Sequence, residues 1–402
     1  MKWHNYRETF PINYSRKFDK KIPEKYQIEV TNYEHSKLET EAKKINKNPY
    51  QTEDQEGFIL ESKGLIKFFN QSTINDIKLS LESFGAVLIK NLPVDKNLPD
   101  TPKTGGNLTK NYKNSFVSES LLIALGNIMK SEPYNFRQEG YGSSPLIDNI
   151  VPIKKLASQK GAGGFKNNFP FHSESAWHRK RPDYIILFGQ RGNKKAKTLV
   201  FSSSQLSKEI LSQINNKDFI KSFRLKPPDL YIQMESYGIP LGTDKYSFIP
   251  PIQYLNGELR LNINFNGIDC NSIQFLNFLN ELENFIEQHY YSTVLEKGTA
   301  LIINNKITCH TRTGYEPLFN GRDRWFLRGY FKNDLWNSDR KQVREYLAKF
   351  SNLGWIDDSQ NLNHKFIEYI NNPKLLKNAN PEIKKLADKA MYLTPNSDSR
   401  IV

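Results

Sequence analysis

Between about residues 136 and 334 the chain returns again and again to short apolar runs: YIILFGQ (184–190), TLVFSS (198–203), LRLNINFN (259–266), TALIINN (299–305) and RWFLRGYF (324–331). Each is too short for a typical helix and rich in β-branched or aromatic residues, so each reads as a strand. Many short strands at close intervals favour architectures that hide their edges, a barrel or a double-sheet jelly roll. One helix interrupts them. It is capped near Asn271 or Ser272, and Leu276, Leu279, Leu282, Phe285 and Ile286 form its buried stripe. The expected class is therefore α+β, mainly β, with a jelly-roll core and flanking helices.

The flanks read differently. From Thr73, Ile74, Ile77, Leu81 and Phe84 recur at helical spacing until Gly85 stops the helix ahead of the strand AVLIK (86–90), and a second helix is expected over 117–130. Residues 1–72 are polar, rich in lysine and tyrosine, and lack a long apolar period, which reads as a peripheral N-terminal extension. Beyond Phe331 the pattern turns helical. Val343, Tyr346, Leu347 and Phe350 make one face, and Ile383, Leu386, Ala387, Ala390 and Met391 another, behind Asn380-Pro381. The expected division is an N-terminal extension (1–72), a jelly-roll domain (73–334) and a helical C-terminal extension (335–402).

Composition narrows the function classes. No apolar run reaches the roughly 18 residues of a membrane span, and the N-terminus carries charges where a signal peptide needs an apolar segment, so a soluble cytoplasmic protein is expected. Two cysteines, Cys270 and Cys309, cannot build a disulfide framework and do not match zinc spacing. The formal charge of +14 comes from basic residues scattered through a Lys/Asn-rich chain without a dense tract. Nucleic acid is not the expected partner, and no membrane partner is expected.

The segment FHSESAW (171–177) carries the first chemical signal. On a strand His172 and Glu174 share a face while Phe171, Ser173 and Ser175 point the other way, so the pair offers two ligands to one ion. Taken alone, an HxE pair is weak evidence, and a surface ion pair is the better reading of it. The best third ligand is His310, just after the strand TALIINN. Two imidazoles and a carboxylate on one octahedral face leave three positions open, as in non-haem Fe(II) oxygenases. Downstream, Arg324 and Arg328 share strand parity within GRDRWFLRGYF. Arginines facing a barrel interior need anions, and their planar fork suits carboxylates. The competing reading, an exposed basic edge strand, fits poorly with the apolar residues between them.

QEGYGSSPLIDNIVP (138–152), FPFHSESAWHRKRPDYIILFGQRG (169–192), Thr198 and KGTALIINNKITCHTRTGYEPLFNGRDRWFLR (297–328) follow one another in the order seen in the clavaminate synthase-like branch of the taurine dioxygenase superfamily. FGAVLIKNLPVDKNLPDTP (84–102) is similar to that family's N-terminal strand and proline-rich turn, so the resemblance spans about residues 74–332. It implies a double-stranded β-helix and an oxygenase using Fe(II), 2-oxoglutarate and O2, which hydroxylates free amino acids or amino-acid-like small molecules as 2-oxoglutarate becomes succinate and CO2. By position it makes His172, Glu174 and His310 the iron ligands. Arg324, fourteen residues past His310, matches the arginine that holds the far carboxylate of 2-oxoglutarate, and Thr198 matches the residue supporting that end. Arg328 matches the partner of the substrate α-carboxylate, and Gln138 and Glu139 fall where a polar contact to the substrate amine is placed.

Glu174 occupies the position that related halogenases leave to chloride, so its presence favours hydroxylation, or desaturation or cyclisation by the same oxidant. Asn262, Asn264 and Asn266 stand where arginine hydroxylases carry paired aspartates. Neutral amides balance a buried cation poorly, so a neutral or polar substrate side chain is expected, with Asn264 a contact to it. GAGG (161–164) is read as a lid or a plain flexible loop, His178 as a surface or supporting residue, and Cys309 as a core residue facing away from the metal. A non-catalytic binding protein on the same scaffold is the alternative of a different class. It requires a broken triad or a missing cosubstrate arginine, and the chain has both intact. Either a monomer or a homodimer is compatible with the sequence.

Overall fold

The computed structural model describes residues 2–12, 14, 16, 19–51, 53–105, 108, 112–134, 146–158, 163–176, 181–214, 217–225, 249–255 and 257–333. The helical segment expected over 335–402 lies outside the described residues. The strands in chain order are β1 (His4–Asn5), β2 (Gln27–Glu29), β3 (Ala86–Lys90), β4 (Glu132–Tyr134), β5 (Asp148–Ile150), β6 (Tyr184–Arg191), β7 (Lys197–Ser202), β8 (Phe223–Leu225), β9 (Ile252–Leu255), β10 (Glu258–Leu261), β11 (Ile268–Cys270), β12 (Tyr291–Val294), β13 (Ala300–Asn304), β14 (Thr308–Arg312) and β15 (Trp325–Lys332). The helices are α1 (Tyr6–Thr9), α2 (Asn32–Ala42), α3 (Gln55–Lys63), α4 (Gln71–Ser83), α5 (Val117–Ile128), α6 (Lys208–Gln213), α7 (Lys217–Lys221) and α8 (Ile273–His289).

A seven-stranded sheet in the order β2-β3-β13-β6-β15-β4, with β5 also paired to β15, forms the larger layer. A three-stranded sheet, β12-β7-β14, forms a second. Alternation along β15 assigns its two faces. Phe326 and Tyr330 join one apolar cluster with Leu199, Val200, Phe201 and Cys309 of the smaller sheet, so this face looks toward the second layer. Trp325, Leu327 and Phe331 join the other cluster, with Val117, Leu121, Leu122 and Leu125 of α5. That helix is apolar on nearly every side because the sheet covers one flank and the N-terminal helices the other.

Several elements follow the sequence closely. The spacing that predicts a helix from Thr73 yields α4, and Gly85 stops it with a φ of +85°. A Cβ there would also lie 2.6 Å from the Thr308 methyl, so glycine serves both turn and packing. The helix expected after Ser272 is α8, with Leu276, Leu279, Leu282 and Ile286 buried. The run LRLNINFN, however, is strand only as far as Leu261. Asn262 donates from Nδ2 to the Pro250 carbonyl at 2.9 Å, and a turn closes from Asn264 O to Gly267 N at 3.0 Å, so side-chain and turn bonds replace the ladder.

The N-terminal segment differs from the peripheral extension the sequence suggests. Strand β2 pairs in parallel with β3 at the edge of the main sheet, while Val30, Leu38, Phe58 and Leu65 complete the cluster around α5. Tyr6 is fully buried and donates to Glu283 Oε2 of α8 at 2.8 Å, and Arg7 Nη1 meets the same oxygen at 2.7 Å. These anchors come from elements too short to print a periodic pattern. Among the described residues, no helix is long and apolar enough to cross a membrane. Because Tyr6 fills a closed site, Tyr6→Ala should cost about 3–5 kcal/mol in a guanidinium unfolding experiment. A loose extension would lose less than about 0.5 kcal/mol.

Candidate metal centre

The two halves of the centre are joined by main chain. His172 N–H donates to His310 O at 3.0 Å and His310 N–H returns a bond to His172 O at 2.9 Å. His172 bridges Asn264 on its other side. Phe171 and Ser173 turn into the core, as alternation requires, and Ser173 Oγ lies 3.1 Å from Thr308 O and 3.2 Å from Leu261 O. The chain then breaks away from extended structure: residues 174–176 form a turn with Ser175 at φ +50°. Glu174 thus leaves the strand the sequence suggested, and Asn305 replaces the ladder. Asn305 Oδ1 accepts from Glu174 N at 2.7 Å, and its Nδ2 donates to Glu174 O at 3.0 Å and Pro182 O at 2.9 Å. Nothing in the run TALIINN marks this asparagine as special; only the fold reveals it.

His172 Nε2 and His310 Nε2 lie 3.9 and 4.0 Å from the same oxygen, Glu174 Oε2, and the imidazole centroids are 4.5 Å apart. Ligand atoms of the three residues all fall within 4.8 Å of one another, and this is the only such group of metal-binding side chains among the described residues. Metal bonds of about 2.0–2.2 Å separate two ligands by at most roughly 4.4 Å, so one ion can reach each imidazole together with the carboxylate. His172 Nδ1 lies 3.0 Å from the Pro170 carbonyl, which accepts its proton and leaves Nε2 with a free lone pair. Burial lowers the pKa of both histidines. His310, pushed further by His172 and Arg328, falls well below the usual imidazole range. Neutral imidazoles are the ligating form. Two of them beside one carboxylate fit a divalent transition metal with open positions for other ligands.

Cationic side chains lie near the triad, with Arg328 and Arg312 close enough to lower the His172 pKa further. On β14 and β7, His310 pairs with Val200 and Arg312 with Thr198, so Thr198 and Arg312 share the face of His310. Arg324, just before β15, is buried with its guanidinium 3.4 Å from the Phe326 ring centre and 5.3 Å from that of Tyr315. Its Nε has no hydrogen-bond partner, and it forms no ion pair among the described residues. Burial pulls its pKa down to about 10, Tyr315 opposing and Arg312 adding to the fall. A cation held out of water without a counter-charge is costly, which is the signature of a site shaped for an anion.

Arg328 lies on the same face of β15 and reaches the triad, with Nη1 3.7 Å from Glu174 Oε2. It is not left open, as the sequence suggested, because Nη2 donates to Asp148 Oδ2 at 2.7 Å. Its Nε is buried without a partner. Tyr330, two residues on, is buried on the same face, and burial, with Glu174 and Asp148 adding to it, raises its phenol well above the ordinary value. Asp148 and Tyr330 escaped sequence reading because neither stands at a diagnostic spacing. Among the three asparagines, Asn262 is taken by Pro250 and Asn266 accepts from Arg7 Nε at 3.3 Å, which leaves Asn264 beside His172. Gln138, Glu139 and His178, with Gly161 and Ala162 of the GAGG stretch, lie outside the described residues.

Cys309 faces away from His310, toward the side of the small sheet where Phe201 meets Phe285 of α8 at 6.1 Å. Burial raises its thiol well above the ordinary value and raises that of Cys270 to about 11. Both should therefore resist a thiol reagent at pH 8 in the folded protein, with less than about 0.1 equivalent reacting in minutes. Both should titrate once denaturant opens the core; rapid labelling of the native chain would contradict this placement.

No family model matches the chain. It is 24% identical over 256 residues to L-asparagine oxygenase of Streptomyces coelicolor, an alignment covering 62% of this chain and 72% of that protein. It is 26% identical over 264 residues to L-lysine 3-hydroxylase of Catenulispora acidiphila, covering 62% and 68% respectively. Clavaminate synthase 2 of Streptomyces clavuligerus is 25% identical over 300 residues, covering 70% of this chain and 85% of that one. Among solved structures, asparagine oxygenase in complex with Fe(II), 2S,3S-3-hydroxyasparagine and succinate superposes with a TM-score of 0.63 at 20% identity, over 77% of this chain and 94% of the other. The non-haem iron oxygenase OrfP, in complex with Fe and alpha-ketoglutaric acid, gives 0.64 at 18% identity, over 80% and 96%. In sequence the chain is similar to L-asparagine oxygenase, L-lysine 3-hydroxylase and clavaminate synthase 2, and in fold it is similar to asparagine oxygenase and the non-haem iron oxygenase OrfP.

Proposed function

We propose that the protein is an Fe(II)- and 2-oxoglutarate-dependent oxygenase that hydroxylates an unactivated C–H bond of a free amino acid or amino-acid-like metabolite. The observation that carries this reading is the meeting of His172, Glu174 and His310 beside a buried Arg324 that lacks a counter-ion among the described residues. Bound iron would supply, with O2 and the oxidative decarboxylation of 2-oxoglutarate, the oxidant that the side chains themselves lack. The relatives' names and the molecules bound in their structures point to the same chemistry.

The chain's own residues supply binding, orientation and shelter from water. Arg324 and Thr198 hold the far carboxylate of 2-oxoglutarate, and Arg312 adds positive charge on the same face. Arg328 receives the substrate α-carboxylate through its unpartnered Nε, with Asp148 fixing the guanidinium through Nη2. Asn264 contacts a neutral or polar substrate side chain from beside His172. Glu174 fills the third ligand position, which favours hydroxylation over halogen transfer. The two sheets are read as the halves of a double-stranded β-helix within 73–334, completed by the packed N-terminal segment.

Anaerobic addition of Fe(II) and 2-oxoglutarate should give a weak visible charge-transfer band, and amino acids and their derivatives should be screened for substrate-stimulated succinate formation. His172→Ala and His310→Ala should each abolish that turnover. Arg324→Gln should keep Fe(II) binding but raise the half-saturating 2-oxoglutarate concentration roughly 100-fold, about 2.7 kcal/mol for a lost buried charge pair. Full activity in either histidine variant, or an unchanged 2-oxoglutarate requirement in the arginine variant, would sink the assignment. Product analysis separates hydroxylation from desaturation or cyclisation.

A further inference from the structure

On the α5 side of the seven-stranded sheet, opposite the face that carries Arg328, lies a cavity of about 570 Å³ lined by Tyr112, Gln190, Arg191, Lys297 and Arg322 among others. Its floor is held by a buried ion cluster. The Lys113 ammonium meets Asp95 Oδ2 at 2.9 Å and Glu119 at 2.8 Å, and reaches Gln190 Oε1 at 3.4 Å. Those contacts consume the lysine's charge and fix the Gln190 amide, because exchanging its O and N would set two donors against each other. The Nε2 donor is thereby turned away from Lys113. Gln190 is fully buried, yet this Nε2 has no hydrogen-bond partner. A buried amide donor is ordinarily satisfied, and Gln190 is among the residues that line this cavity.

The charges point to the ligand's sign. Arg191 is pinned by Leu98 O at 3.1 Å, Pro99 O at 2.6 Å and Thr101 Oγ1 at 3.1 Å, all neutral acceptors. Burial and the neighbouring Arg322 both lower its pKa, while Asp100 opposes them. Lys297 and Arg322 form no ion pair among the described residues. Lys96 is already matched by Glu39 at 3.2 Å. Setting Asp100 against Arg191, Lys297 and Arg322 leaves two positive charges, of which the floor, one ammonium against Asp95 and Glu119, offsets one. Two guanidiniums, an ammonium and an amide N–H around one space suit an anionic group with several oxygens. The volume falls in the range of about 300–1,000 Å³ usual for small organic ligands, and the Tyr112 ring offers a flat wall. We infer that this cavity binds a small phosphate-bearing molecule at a site separate from the metal centre.

Calorimetric titration of the full-length protein at low, constant salt tests this with pyrophosphate, ATP and, as a carboxylate control, citrate. Saturable binding near one equivalent is expected for ATP or pyrophosphate, at least ~tenfold tighter than for citrate. Binding of both supports an anion site that reads the phosphates, and binding of ATP alone supports a site that also uses an organic group. Lys297→Ala combined with Arg322→Ala should weaken binding at least ~tenfold, and Gln190→Leu, which keeps the volume, should weaken it comparably. If Gln190→Leu fails to fold, the exposed pair decides. Saturating 2-oxoglutarate should not displace the ligand, and the exposed pair's variant should retain any 2-oxoglutarate-dependent turnover. Absence of saturable binding, equal affinity for citrate, wild-type affinity in the folded variants, or displacement by 2-oxoglutarate would overturn the inference. None of these readouts requires the enzyme to turn over, so the proposed oxygenase activity stands or falls independently.

Discussion

The two main-chain hydrogen bonds between His172 and His310 set the geometry of everything around them. They bring a strand near the end of the described chain against an otherwise irregular segment, and a single bridge is too short to hold itself. Its neighbours make it rigid. Ser173 ties the segment to Thr308 and Leu261, Asn305 clamps the turn at Glu174, and Phe171 anchors it in the core. With the backbone fixed, three short side chains have little choice but to meet at one point.

Electrostatics then gives the point its character. Burial keeps the imidazoles neutral, and the negative charge of Glu174 is met by Arg328 from the neighbouring strand. Arg324 carries the opposite imbalance, a guanidinium packed on Phe326 and left without a counter-charge. Arg328 lies on one face of β15 with Tyr330, Arg324 just precedes that strand, and Arg312 joins them from β14. The same sheet separates this field from the Lys113 cluster, where Asp95 and Glu119 both meet the ammonium within the protein. A buried cation that the chain neutralises itself is structural. One that it leaves unpaired is shaped for a ligand.

The N-terminal segment shows how polar composition can hide a structural role. Glu34 is fully buried, yet it is satisfied by Thr31, Thr73 and the Asn70 main chain, and it secures the start of α2 through a capping box. Tyr6 and Arg7 lock onto Glu283 in the same way. Such residues count as polar in any sequence window but behave as core once their partners arrive from far along the chain.

The sequence by itself determined what depends on local spacing. Period 3.6 located α4 and α8, β-branched runs located β6, β7, β13 and β15, and period 2 placed Phe171 and Ser173 opposite His172 and aligned Arg324 with Arg328. The residue types at those positions, together with the family resemblance they carry, were enough to single out His172, Glu174 and His310, with Arg324 and Arg328, as candidates for one site. Tertiary structure decided what depends on contacts between distant segments. Asn305 as the clamp on Glu174, Asp148 as the partner of Arg328, the early end of β10, the burial of Tyr6 and the orphan amide of Gln190 leave no periodic trace. Periodicity records which face of an element is covered; it carries no information about which distant residue covers it.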